Sequence, residues 1–196
     1  MKGLKPLRMR LHSGKSLRSS AGAQLVEFAL ALPLLLVLVV GILDFGQAFN
    51  LKQKLNNAAR EGARFAIEEP CADCSQAAPS TTQAIENSIV NYLTNAGVNV
   101  CGLTGTTAPT TGPQAFASWT FTSPSACPGT TANFTIEIDR GNTFLDSNGA
   151  TVTSSQVIIN SPYAWTFNRT IALLVPSATY QAVTTISSDA TMQNLP

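Results

Sequence analysis

Histidine is almost missing from this chain. The single copy, His12, sits in a basic head, so a chain without that head has nothing for Ser/His or Cys/His catalysis and little for zinc. Charge is scarce as well: 12% of residues are Asp, Glu, Lys or Arg, where about 25% is usual for a soluble globular protein. Acid is absent from residues 1–22, which carry Lys2, Lys5, Arg8, Arg10, Lys15 and Arg18, while the rest of the chain holds six bases against eleven acids. A basic head therefore precedes an acidic body. No glycine-rich phosphate loop, pair of catalytic carboxylates or cluster of metal ligands is written anywhere. Asp139, Asp146 and Asp189 are scattered in turn-like contexts and read as solvated loop residues. The expectation is a protein that is not an enzyme and takes no cofactor and no metal.

A basic arm serves either nucleic acid or the inner end of a membrane segment, because Lys and Arg resist translocation. The residues that follow it favour the membrane and exclude nucleic acid as the expected partner. Phe28 to Leu43 is a run of 16 residues without a charge, interrupted only by Pro33 and Gly41. As a helix it covers about 24 Å at ~1.5 Å per residue, a little short of the ~30 Å hydrocarbon core. Uncharged neighbours, Ala23 to Val26 before it and Phe45 and Gly46 after it, can extend the span. At 196 residues the chain then has room for one modest domain beyond the membrane.

An ordinary secretory signal ends its apolar stretch with a small-residue cleavage site, but Gly41-Ile42-Leu43-Asp44-Phe45-Gly46 offers no Ala-x-Ala. The other end of the stretch reads Ser19-Ser20-Ala21-Gly22-Ala23-Gln24-Leu25-Val26-Glu27-Phe28, a glycine at the edge of the basic region with a glutamate five residues later. This resembles the class III leader of type IV prepilins. The resemblance implies that prepilin peptidase cuts between Gly22 and Ala23 on the cytoplasmic side and leaves the apolar helix in place. It also implies an assembly role for Glu27, whose carboxylate pairs with the new amino group on Ala23 of a neighbouring subunit. An unpaired carboxylate within the bilayer costs roughly 2 to 3 kcal/mol or more, and the alternative is that Glu27 sits at headgroup level, where the cost is small.

Beyond Asp44 the helical pattern has no stop before Glu68-Glu69-Pro70, where proline breaks it. Leu51, Leu55, Ala58, Ala59, Gly62, Ala63 and Ala66 recur at spacings of three and four and make one face. Ala58, Gly62 and Ala66 have so little bulk that another backbone can approach, either this protein's own domain or a second subunit. Val26-Glu27-Phe28-Ala29-Leu30, Leu32-Pro33-Leu34-Leu35-Leu36, Gly41 to Gly46, and Asn57-Ala58-Ala59-Arg60-Glu61-Gly62-Ala63-Arg64 together resemble the TadE-like family, pilin-like minor subunits of the Tad (Flp) pilus and tight-adherence system. The likeness is close over residues 19–67. Val157 to Met192 shares only a pattern of strand, apolar loop and strand, and residues 70–150 resemble nothing known.

The organisation expected is a leader over 1–22, a long helix over 23–69 with its first half in the membrane, and an extracytoplasmic domain over 70–196 containing a Thr/Gly/Pro-rich loop near 102–114. In that domain Ser80 and Gln83 form a capping box ahead of Ile85, Ile89, Tyr92 and Leu93, an amphipathic helix ending before Gly97. Strands are expected at Phe134-Ile136-Ile138, Gln156 to Asn160, Tyr163 to Phe167 and Tyr180 to Ser188. The fold class is α+β, one long and one short helix with a mainly antiparallel sheet. Cys71, Cys74, Cys101 and Cys127 fall on the outer side, where an even count predicts two disulfides among three connectivities, one of them closing Cys101 to Cys127. A redox or metal reading of Cys71-Ala72-Asp73-Cys74 rests on a lone pair of cysteines and is weak.

Three functions compete. The chain is a TadE-like minor pilin that helps assemble a surface fibre used in adhesion, a tethered extracytoplasmic binding module that never assembles, or a secreted hydrolase. The missing histidine and cleavage site count against the last. For the first, the partners implied are other pilin-like subunits, the Tad assembly machinery, prepilin peptidase and membrane lipid. The location implied is a single-pass membrane protein with a cytoplasmic N-terminus and an extracytoplasmic C-terminal domain.

Overall fold

The computed structural model describes residues 20–69, 72–104, 118–167 and 183–194. Helix α1 runs Ser20–Glu68, 49 residues, and carries Pro33 inside it. Its Leu, Ala, Gln, Glu, Lys and Arg content favours helix along most of its length. Contacts divide the chain at Leu36/Val37 into two compact units. In the first, Leu25, Val26, Phe28, Leu30, Leu34 and Leu35 are all exposed.

In the second unit, helix α2 (Ser80–Asn95) and four strands, β1 (Ser118–Ala126), β2 (Asn133–Leu145), β3 (Thr151–Ala164) and β4 (Val183–Gln193), join the rest of α1. The sheet is an antiparallel meander in the order β1-β2-β3-β4. The fold is thus α+β, with a long apolar helix, a short helix and an antiparallel sheet. Because side chains alternate along a strand, one sheet face is assembled from Trp119, Phe121, Phe134, Ile136, Ile138, Val157 and Ile159, all fully buried. The register aligns them: Phe121 stands opposite Ile136, and Ile136 opposite Ile159. The other face is polar, with Thr120, Thr135, Glu137, Gln156 and Asn160 in intermediate exposure.

Both helices cover the apolar face. A Cβ added at Gly62 would lie 2.5 Å from the Ile89 Cδ1 of α2 and 3.6 Å from Val157 of β3, so α1 passes against both at this point. Leu55, Ala58, Ala59, Ala63 and Ala66 are fully buried there with Ile85, Ile89 and Leu93. The small-residue face of α1 therefore packs on this protein's own domain. At the far end, Arg140 on β2 donates from Nη2 to the Glu69 carbonyl at 2.5 Å, satisfying one of the carbonyls a helix end leaves open.

Three local expectations are corrected. Helix α2 is not started by a Ser80/Gln83 capping box: its N-cap is Pro79, with no side-chain cap. Asp73 does that work from outside the helix, accepting from the Thr81 amide and the Ser80 hydroxyl at 3.1 Å each and from the Thr81 hydroxyl at 2.5 Å. Burial pushes the Asp73 carboxyl up, but these hydrogen bonds, the Thr81 hydroxyl's first, outweigh it and hold the group below its ordinary value. Tyr163 to Phe167 is not a strand of its own: Tyr163 and Ala164 finish β3, and the chain then turns away. The last strand, Val183–Gln193, takes in the described part of Tyr180 to Ser188 and runs five residues beyond it; 180–182 lie outside the described residues. Cys71 and most of the 102–114 loop lie outside them too.

Candidate functional site

Among the described residues α1 is the one helix long and apolar enough to cross a membrane, with a mean hydropathy of 2.7 over its most apolar window and 6% of that window buried. A core helix of a soluble protein would be mostly buried, so this stretch is built for an apolar solvent. Gly22, Ala23 and Glu27 all lie on α1 and are exposed. No heavy atom lies within 4 Å of where a Cβ on Gly22 would stand, so the fold itself does not require glycine there.

The apolar stretch joins the domain through a neck that sequence reasoning missed. Asp44 lies within α1 and is only 2% exposed. A buried carboxylate is costly unless hydrogen-bonded, and here both oxygens are used. Oδ1 accepts from the Tyr163 hydroxyl at 2.7 Å and Oδ2 from the Phe167 amide at 2.8 Å. Burial, the hydrogen bond to Asp44 and the Asp44 charge push the Tyr163 phenol up to about 12. Trp165 stacks edge-on against Tyr163, ring centroids 5.0 Å apart at 80°, and lies 5.2 Å from Phe45. One turn before Asp44, the Phe167 ring lies over Gly41, 3.4 Å from where a Cβ would stand, which is ordinary contact distance. Asp44 bonds the segment that Gly41 touches. The available signal was an acid directly after an apolar run, three residues beyond a glycine.

Further along, the Lys52 ammonium donates to the Ser187 carbonyl of β4, and the Gly62 contact follows. The helix is therefore fixed to the sheet at several levels from Asp44 to Glu69. Of the expected helix-packing residues, Gly62 stands against Ile89 of α2 and Val157 of β3, and Ala58 and Ala66 are fully buried in the same core. Of the cysteines, Cys101 and Cys127 are joined by a disulfide that closes a separation of 26 residues, worth about 3 to 4 kcal/mol in the chain-entropy model. Cys74 is disulfide-bonded as well. No cluster of three His, Cys, Asp or Glu able to hold a metal occurs among the described residues.

Residues 22–64 match the family described as TadE-like protein, covering the apolar stretch, Glu27, Gly41, Asp44 and the small-residue face up to Ala63. No curated protein and no solved structure matches the chain.

Proposed function

We propose, from this TadE-like helix, that the chain is a minor pilin or pseudopilin taking part in assembly of a Tad (Flp) type IV pilus and in surface adhesion. The observation that carries the reading is the division of labour along α1. Its first part is exposed and apolar, whereas its second part is fastened to an antiparallel meander through Asp44, Lys52 and Gly62. A subunit built this way can be drawn out of a bilayer by its helix. Residues 1–22 are the leader, 23–69 the helix and 70–196 the extracytoplasmic domain. Prepilin peptidase removes the leader after Gly22, a position where glycine answers no need of the fold. The N-terminus faces the cytoplasm because the leader is basic, and the disulfide of Cys101 with Cys127 supports an oxidising location for the domain.

Glu27 is the assembly residue in this reading: exposed on the apolar part of α1, its carboxylate answers the Ala23 amino group of a neighbour. The test is Glu27→Ala expressed in a strain deleted for the gene. Membrane insertion should be intact or slightly easier, and piliation and adherence should be lost or sharply reduced. Normal piliation with normal adherence would sink the pairing role.

A further inference from the structure

We propose that an aromatic groove beside the neck is a foot that rests in the headgroup layer of a phospholipid membrane and sets the depth of the helix; this rests on α1 being the membrane span. The groove, about 600 Å³, is walled by Phe45, Ala48, Phe49, Trp165 and Ile186, with Lys52 at its far end. Phe45 is 67% and Phe49 65% exposed, one turn apart on the same helix. Two neighbouring phenyl rings bared to that degree call for an apolar or interfacial partner.

Continuity identifies the partner as lipid. Leu38, Ile42, Phe45 and Phe49 follow one another at spacings of four, three and four, and all are exposed, so one stripe of α1 passes from the charge-free run into the groove without a break. Whatever solvates Leu38 and Ile42 meets Phe45 and Phe49 next. Along the stripe the chemistry changes in the order met on leaving a bilayer: aliphatic at Leu38 and Ile42, aromatic at Phe45 and Phe49 with Trp165 beside them, then cationic at Lys52. From Leu43 to Phe49 the helix rises about 9 Å, close to the depth of one interfacial layer. The Lys52 ammonium, held on the Ser187 carbonyl, puts a fixed positive charge at the outer edge of that layer. The Asp44 bonds to Tyr163 and Phe167 bracket Trp165 and hold the foot at a fixed height on the helix.

Trp165 reports its own surroundings. The chain has two tryptophans, and Trp119 is buried in the core with its Nε1 unpartnered, so Trp119→Phe removes the competing fluorophore without breaking a hydrogen bond. Full-length protein carrying that change is reconstituted in phosphatidylcholine/phosphatidylglycerol vesicles, isolated by flotation, and quenched with lipids brominated near the headgroup or near the chain end, and separately with iodide. Should Trp119→Phe fail to fold, the difference between wild type and Trp165→Phe gives the same readout. The expected result is strong quenching by shallow bromines, weaker quenching by deep ones and little by iodide. Quenching by iodide alone in floated protein would overturn the foot and leave the membrane span standing. Protection from both quenchers would also overturn it, placing another protein chain in the groove. Protein that does not float would remove the membrane reading itself, and the foot with it.

Discussion

The Tyr163 hydroxyl donates to the Asp44 carboxylate at 2.7 Å, joining residues 119 positions apart. With the Phe167 amide on the second oxygen, this bond turns a single acid at the end of an apolar run into the fastening between helix and sheet. In the proposed role, force applied to the helix would reach the domain through this fastening.

Asp44→Ala should therefore destabilise the domain by about 1 to 3 kcal/mol, the cost of leaving buried donors unpaired. It should also move one tyrosine's titration down from about 12 toward the ordinary value near 10. The sign follows from the raised pKa: the neutral phenol is favoured by folding, so its contribution is complete below pH 10 and fades as the pH climbs through 12. Alkaline absorbance titration of tyrosinate in wild type and variant reads this directly. Identical curves would mean that the carboxylate does not govern Tyr163.

Gly62 and Gly46 should respond in opposite directions to alanine. At Gly62 the new methyl would press on Ile89 Cδ1 at 2.5 Å and Cγ1 at 2.6 Å, and Ile89 is fully buried, so a loss of about 1 to 3 kcal/mol is expected. At Gly46 nothing lies within 4 Å, and Gly46→Ala should gain roughly 0.5 to 1 kcal/mol of helix propensity. Thermal unfolding of both variants in the same detergent separates them. Equal shifts would argue against close packing of α1 on α2.

Glu86 of α2 is fully buried, and neither carboxylate oxygen has a hydrogen-bond partner. Burial alone pushes its pKa from 4.5 up to about 8. The folded state then holds a proton that the unfolded state releases, so this group makes stability fall as pH rises from about 4.5 to 8. Glu86→Leu should remove that slope and raise the melting temperature most at pH 8. Parallel melting-temperature profiles from pH 5 to 8 would show that Glu86 stays paired or solvated.

Much of this was legible in the sequence, and the gaps have physical causes. The apolar span and the small-residue face announce themselves because a helix repeats its faces every three to four residues over a long stretch. Strand β1 was missed: its inner face shows only Trp119 and Phe121 before Pro124, and proline reads as a strand breaker although an edge strand tolerates it. The end of strand β4 is hard to read because Ser188 and Ala190 interrupt the inward apolar series of Ile186 and Met192 and leave a faint alternation. Tyr163 to Phe167 has the composition of a strand, but only Tyr163 and Ala164 pair with β4, and the Phe167 amide bonds Asp44, far away in the chain. Asp73 caps α2 from a loop, a partnership that spacing within the helix cannot reveal.

If the proposed processing is right, the native protein in the membrane fraction, read by N-terminal sequencing and intact mass, begins at Ala23, with the leader of residues 1–22 gone and the apolar helix retained. A chain that keeps Met1, or one that has lost the helix through Leu43, would contradict it.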